Sequence, residues 1–106
     1  MADTLLVIED EELLANELAR HFRASGWEVL VAADIGEAKS LLIDSSLEPL
    51  VVLSDMSLPD GSALDLLESA RHNAVGGEWV LLTAYGTIPD SVRALRLGSS
   101  VFGASL

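Results

Sequence analysis

The sequence predicts an α/β fold in which helices cover both faces of a parallel sheet. Short apolar runs alternate with stretches in which apolar residues recur at helical spacing. The apolar runs are continuous, as in strands that are buried on both faces. Four such β-α units and a weaker strand fill the chain, and strands that alternate with helices of this length pair in parallel through right-handed crossovers.

Five segments have the composition of strands, and the last of them is the weakest. The predicted strands are Thr4 to Ile8, Trp27 to Ala32, Leu50 to Leu53, Glu78 to Thr83 and Val101 to Ala104. The third strand runs on into Ser54 and Asp55, which precede a turn. The fifth is weak because it is short and contains Gly103, which weakens a strand.

Helices are predicted after each of the first four strands. They cover Glu12 to Ala24, Asp34 to about Ile43, Gly61 to His72, and Thr87 to Leu97. Asp34 and Thr87 are residue types that cap helix N-termini, and Gly26 and Gly98 are suited to end helices. The first helix has apolar residues at helical spacing, namely Leu14, Leu18 and Phe22, with Ala15 and Ala19 beside them.

Composition limits the function classes. The 106 residues suit one domain, residues 1–106, with one core. The 17 acidic and 6 basic residues give a net charge of -11, so direct nucleic-acid contact is not expected. The chain has no cysteine for a disulfide or thiolate site. It has no apolar run of about 18 residues and an acidic N-terminus, so we expect a cytoplasmic protein without a membrane span.

Polar residues follow the predicted inner strands at the same edge of the sheet. Glu9 and Asp10 end the first strand, Asp55 ends the third and Thr83 ends the fourth. An acid pair after a strand is commonly only the solvated start of a helix. Three carboxylates on neighbouring strand ends instead require a counter-charge, and all-oxygen ligands suit Mg²⁺. This combination favours a magnesium site over the solvated alternative.

Three motifs resemble those of response-regulator receiver domains of two-component signalling. They are VIEDE at residues 7–11, LSDMSLPDG at 53–61 and LLTAYGT at 81–87, and the resemblance extends from Thr4 to about Gly98. The resemblance implies a flavodoxin-like, doubly wound fold with strand order 2-1-3-4-5. The sequences of these motifs are most similar to those of receivers attached to DNA-binding transcription regulators.

The resemblance also implies roles for residues at the acidic edge. Asp55 matches the aspartate that accepts a phosphoryl group from a histidine kinase. Mg²⁺ is implied to bind Glu9, Asp10, Asp55 and the backbone carbonyl of Met56. An oxygen nucleophile of this type forms an acyl phosphate, and the cation offsets the charge of the phosphoryl oxygens.

Further positions match the elements that respond to the phosphoryl group. Thr83 matches the switch hydroxyl, which turns toward the added oxygens, and Phe102 matches the switch aromatic, which follows it inward. Pro59 and Gly61 match the turn beside the site.

The end of the chain departs from the family pattern. Receivers place a Lys-Pro pair where this sequence has Ser105 and Leu106, and the only lysine of the chain is Lys39, on the second helix. Serine cannot supply the charge-assisted bond that a lysine makes to phosphoryl oxygens. The final helix of the family is also absent from this sequence, which is either a truncated receiver with an altered end or a naturally degenerate one. Without that helix we expect the apolar faces of strands one, three and five to lie open beside the first helix. We therefore expect self-association, as a homodimer through these faces or by exchange of the C-terminal segment, or else a displacement of the residues after Gly98 from the usual strand position.

Three functions compete at this stage. The first is a signalling receiver that is not an enzyme beyond its own phosphotransfer and dephosphorylation, with a histidine kinase and an output domain as partners. The alternative is a degenerate receiver that works through protein contacts without phosphorylation, which the missing lysine favours. An aspartyl-phosphate hydrolase is disfavoured, because such enzymes place a second acid where this chain has Ser57.

Overall fold

The protein forms one five-stranded parallel sheet in the computed structural model, which describes residues 2–45, 47–83 and 88–103. The strands are β1 (Thr4–Ile8), β2 (Glu28–Ala32), β3 (Val51–Asp55), β4 (Glu78–Thr83) and β5 (Ser99–Gly103). Their order is β2-β1-β3-β4-β5, as predicted. β3 therefore lies at the centre, between β1 and β4.

Four helices connect the strands of the sheet. They are α1 (Glu12–Ala24), α2 (Ile35–Lys39, continued by a π-helical turn at Ser40–Asp44), α3 (Ala63–His72) and α4 (Ile88–Arg96). Asp34 caps α2 as predicted, because its side chain accepts a hydrogen bond from the Glu37 amide. The predicted cap at Thr87 lies outside the described residues.

The first turn of the predicted third helix is instead a small hairpin. Ser57–Leu58 pairs antiparallel with Gly61–Ser62, and α3 begins only at Ala63. Gly61 has φ of 148°, which a helix does not allow, and the Ser62 side chain caps α3 by accepting from the Leu64 amide. The prediction of a helix from Gly61 was therefore wrong by two residues.

The fifth strand begins earlier than its apolar pattern indicated. It starts at Ser99, where the buried hydroxyl donates to the Trp79 carbonyl at 3.0 Å. Because this bond satisfies the Ser99 hydroxyl, the strand can include a buried polar residue, which the search for apolar residues did not anticipate. Ala104, the predicted end of the strand, lies outside the described residues, and within the part of the chain that the structure describes no helix follows β5.

The core has a large part under α2, α3 and α4 and a smaller part under α1. α1 is docked through Ala15 and Ala19, which are buried, whereas Leu14 is 41% exposed. Leu18 and Phe22, which share the helical spacing of Leu14, are half-buried at the margin of this contact. No described helix is both long and apolar enough to cross a membrane.

The α1 face of the sheet is covered unevenly. The β1 residues Leu5 and Val7 are buried beneath α1, so the prediction that β1 would be open was wrong. Leu53 on β3 and Leu82 on β4 are only half-buried and border an open cavity. The uncovered apolar surface therefore lies over β3 and β4.

Candidate functional site

The carboxylates predicted at the sheet edge are brought together in the fold. Ile8 is the register partner of Ser54, so Glu9 follows β1 at the level where Asp55 ends β3. Carboxylate oxygens of Glu9, Asp10 and Asp55 all lie within 4.8 Å of one another. The amide of Glu9 donates to the Ala32 carbonyl at 3.0 Å, which fixes its backbone against β2.

Glu9 is the buried member of this acidic cluster. Only 7% of the residue is exposed, and its Oε2 atom has no hydrogen-bond partner among the described residues. Burial, followed by the negative charges of Asp55 and Asp10, raises the pKa of Glu9 to about 7. The nearby Asp55 side chain thus favours the protonated form of the Glu9 carboxyl.

A hard divalent cation fits this set of groups. The cluster offers three carboxylates, and one buried carboxylate oxygen of Glu9 has no partner. A cation at this position would provide that partner and offset the repulsion that raises the Glu9 pKa. Oxygen donors of this kind are the ligands that Mg²⁺ and Ca²⁺ take in proteins.

The backbone that follows Asp55 is held on two sides. The Met56 amide donates to the Leu82 carbonyl at 2.9 Å, and the Met56 carbonyl accepts from the Ala63 amide at 2.9 Å. A carbonyl oxygen has two lone pairs, so the bond to Ala63 leaves the Met56 oxygen capable of a second interaction. The Ser54 hydroxyl donates to the Asp55 carbonyl at 2.8 Å.

An open cavity of about 290 Å³ joins the acidic cluster to the uncovered apolar surface. Its lining residues are Val7, Ile8, Glu9, Glu11, Leu14, Leu18, Leu53, Ser54, Asp55, Leu82 and Thr83. The predicted switch residue Thr83 is half-buried and lines the same cavity as Asp55. None of these described lining residues is basic, so the acidic end of the cavity has no cationic side chain.

Of the remaining positions predicted from the family motifs, the structure describes some only through their backbone and others not at all. Phe102 lies in β5 opposite Leu82, but its side chain is outside the described part of the structure, as are Ser105 and Leu106. Pro59 and Gly61 lie at the hairpin beside the site, where the sequence placed a turn.

Sequence reasoning missed the contacts of Asp60. Its carboxylate accepts hydrogen bonds from the Ile35 and Gly36 amides at 2.9 and 3.0 Å, which connects the hairpin to the start of α2. The proline-aspartate-glycine turn was visible, but nothing in the local pattern identified backbone amides 24 and 25 residues away as partners.

Comparisons with known proteins identify the family of this chain. Residues 5–102 match the family described as "Response regulator receiver domain". The chain belongs to the response regulator receiver domain family. The CheY-like receiver domain from Methanospirillum hungatei has a TM-score of 0.87 and 25% identity, with coverage of 100% of this chain and 84% of the other.

Curated relatives of this receiver are regulatory proteins. The photosynthetic apparatus regulatory protein RegA of Rhodovulum sulfidophilum is 31% identical over 97 residues, which span 92% of this chain and 52% of RegA. The probable transcriptional regulatory protein TcrX of Mycobacterium tuberculosis is 35% identical over 95 residues, 90% of this chain and 40% of TcrX. The receiver thus spans about half the length, or less, of these relatives.

One similar solved structure contains a modified aspartate. It is a response regulator from Burkholderia pseudomallei described as having a phosphorylated aspartic acid, a calcium ion and citrate. Its TM-score to this receiver is 0.82 at 27% identity, and the match covers 97% of this chain and 59% of that one.

The raised pKa of Glu9 predicts a specific pH dependence in the absence of divalent cations. Glu9 binds its proton more tightly in the folded state, with a pKa of about 7 against an ordinary 4.5. Its contribution to the free energy of unfolding is therefore fully present below the ordinary pKa and is lost as pH rises through the folded value. Urea unfolding of wild type and Glu9→Gln should diverge by on the order of 2 kcal/mol between about pH 5 and pH 8.

The sign of that divergence is the decisive readout. Wild type should lose stability relative to Glu9→Gln as pH rises, because glutamine does not ionise. Mg²⁺ at high pH should restore stability to wild type more than to the variant, since metal binding requires the deprotonated carboxylate. Parallel pH profiles for the two proteins would contradict the assignment of Glu9 as a buried acid.

Proposed function

We propose that this receiver accepts a phosphoryl group on Asp55 from a histidine kinase and switches conformation in response. The observation that carries the proposal is the cluster of Glu9, Asp10 and Asp55 within 4.8 Å. Glu9 and Asp55 of this cluster line a cavity that Thr83 also lines. The phosphorylated aspartate and calcium ion named for the Burkholderia response regulator support the same chemistry here.

The proposed transfer is a displacement at phosphorus. One carboxylate oxygen of Asp55 attacks the phosphorus of a phosphohistidine, and the new O–P bond forms an acyl phosphate. The P–N bond breaks, and its electron pair returns to the imidazole nitrogen of the kinase. Bound Mg²⁺ would supply positive charge to the transferring oxygens. Asp55 is exposed enough at the end of β3 to be reached, since it is only half-buried.

The neighbouring residues take distinct roles in this proposal. Glu9, Asp10 and Asp55 hold the cation, together with the backbone carbonyl of Met56. The hydroxyl of Thr83 donates a hydrogen bond to the added phosphoryl oxygens and so biases the segment that follows β4. Phe102 is proposed as the aromatic residue that moves with it.

The output of the switch is proposed to be transcription regulation through a separate domain. RegA and TcrX are named as regulatory proteins and are longer than this receiver. The net charge of -11 makes the receiver itself unsuited to phosphate contacts, so DNA binding is assigned to the output domain. Beyond its own phosphotransfer and dephosphorylation, we assign it no enzymatic activity.

A second candidate is a protein-interaction module that keeps the fold without phosphorylation. It is favoured by one specific observation: the described lining of the cavity has no basic side chain to pair with phosphoryl oxygens. Lys39, the only lysine of the sequence, is exposed on α2. The two candidates differ in whether Asp55 is modified, and a phosphodonor experiment separates them.

The metal assignment predicts saturable Mg²⁺ binding that depends on Asp10. Titration followed by two-dimensional NMR should shift amide signals at the ends of β1 and β3 in wild type, because the carboxylates of both strands contact the cation. Asp10→Ala should abolish the saturable shift, whereas Asp44→Ala, which removes an exposed acid at the end of the α2 segment, should leave it unchanged. Equal titration curves for wild type and Asp10→Ala would refute the site.

The phosphoacceptor assignment predicts one phosphoryl group on Asp55. Incubation with acetyl phosphate and Mg²⁺ should add a single phosphoryl mass, and Asp55→Asn should not be modified because an amide oxygen is a poor nucleophile. Occupancy is expected to be low, since no described basic side chain lines the cavity. Intact-mass spectrometry provides the measurement.

The outcome distinguishes the candidate functions. No added mass in wild type, with Mg²⁺ binding intact, would favour the interaction module. High and long-lived occupancy with a full NMR response would show that the missing basic residue matters less than we infer.

We also propose that the receiver forms a homodimer through its uncovered apolar surface. Leu53 and Leu82 line the open cavity beside α1, and the α1 residue Leu14, which lines the same cavity, is 41% exposed. A contiguous apolar surface of this kind is a common association site.

Light scattering across a dilution series tests the dimer. Wild type should show a mass that rises with concentration, and Leu14→Gln should remain monomeric because a polar side chain then borders the cavity. Leu95→Gln removes a leucine on α4 that is 62% exposed and should associate like wild type. A wild type that stays monomeric at high concentration, or equal effects of the two substitutions, would rule out this surface.

A further inference from the structure

Asp60 makes an unusual pair of contacts at the start of α2. Its Oδ1 accepts from the Ile35 amide at 2.9 Å and its Oδ2 accepts from the Gly36 amide at 3.0 Å. These bonds lower the pKa of the Asp60 carboxyl, with the bond from Ile35 as the largest cause. Asp60 therefore acts as an N-terminal cap that is supplied from a different segment of the chain.

The start of α2 is also capped from within its own segment. Asp34 accepts from the Glu37 amide at 2.8 Å, and the Glu37 side chain accepts from the Ala33 amide at 2.8 Å. These two bonds stabilise the start of α2, and both join residues of the same short segment, Ala33 to Glu37. Asp34 and Asp60 thus satisfy amides of the same turn, and only Asp60 connects that turn to the loop after β3.

The hairpin transmits the position of Asp60 to the acidic site. Ser57–Leu58 pairs with Gly61–Ser62, so the tip residue Asp60 and the backbone next to Met56 belong to one small unit. Leu58 and Ile35 belong to the same buried cluster, and a Cβ at Gly61 would approach Ile35 Cδ1 to 3.1 Å. The hairpin therefore lies tightly against the first turn of α2.

We propose that Asp60 is a positioning residue that fixes the hairpin to α2 and so holds the Met56 carbonyl in place for the cation site. The inference rests on the proposed function for the cation, while the mechanical link between hairpin and helix stands on the contacts of Asp60 alone. Asp60 touches neither the cation nor the reacting atoms, and its effect passes through the bond between the Met56 carbonyl and the Ala63 amide.

The matched pair Asp60→Ala and Asp34→Ala tests the proposal. Both variants remove a carboxylate that caps α2, so both should lower the free energy of unfolding. Only Asp60→Ala should loosen the hairpin: hydrogen exchange of the Ala63 amide should become about threefold to tenfold faster, as expected for the loss of roughly one hydrogen bond. Asp34→Ala should leave Ala63 exchange unchanged.

Mg²⁺ titration adds a readout at the site itself. Asp60→Ala should bind Mg²⁺ about tenfold more weakly, as is typical when a residue that supports metal ligands is removed, and Asp34→Ala should bind like wild type. Asp60→Asn, which keeps one acceptor oxygen, should lie between Asp60→Ala and wild type.

The outcomes separate this inference from the proposed function. Faster Ala63 exchange and weaker Mg²⁺ binding in Asp60→Ala alone would support the positioning role. Equal effects of Asp34→Ala and Asp60→Ala on both readouts would overturn it. Should wild type bind no Mg²⁺, the proposed function fails, and the exchange of Ala63 decides alone for or against the link between the hairpin and α2.

Discussion

The position of β3 between β1 and β4 is the constraint on which the site depends. Parallel pairing brings the carboxyl ends of these strands to one edge of the sheet. Glu9 and Asp55 therefore lie close together although they are 46 residues apart in the sequence. The energetic consequence is a cluster of like charges in which Glu9 is buried and binds its proton unusually tightly. The stability that the Glu9 proton contributes is lost as pH rises through about 7, and carboxyl groups with strongly shifted pKa values cluster at functional sites.

The fold and the acidic cluster were predictable because both follow from simple periodicities. Continuous apolar runs marked the strands, and a residue that ends one parallel strand must lie near the residues that end its neighbours. The cap at Asp34 was also predictable, because the amide that it accepts from is only three residues away in the sequence. Asp60 was not, because its partners belong to another segment and only the tertiary packing of the hairpin on α2 brings them together.

The orientation of α1 depends on how closely the helix can approach the sheet, and not only on where its apolar residues lie. Helical spacing offered a stripe of large residues centred on Leu14 and Leu18 and a second stripe formed by Ala15 and Ala19. The small side chains face the sheet and allow close approach over β1, which leaves Leu14 at the margin. The same rotation creates the cavity that extends from the leucines of α1 to Asp55. A sequence pattern identifies an amphipathic helix but does not fix which of two adjacent apolar stripes is central.

The backbone at the acidic edge is hydrogen-bonded to β4 on one side and, through the hairpin, to the start of α2 on the other. Met56 follows Asp55 directly, and its amide donates to the Leu82 carbonyl, so the end of β3 is hydrogen-bonded to β4, the strand that ends in Thr83. On the other side, the hairpin after Met56 is bonded through Asp60 to α2, which follows β2. A cation reduces the repulsion among the three carboxylates, and a phosphoryl group would add negative charge beside them. In the proposed function, both changes of charge would occur beside one backbone segment that is hydrogen-bonded to β4 and, through Asp60, to α2. These bonds are the route by which a local change of charge would reach either element.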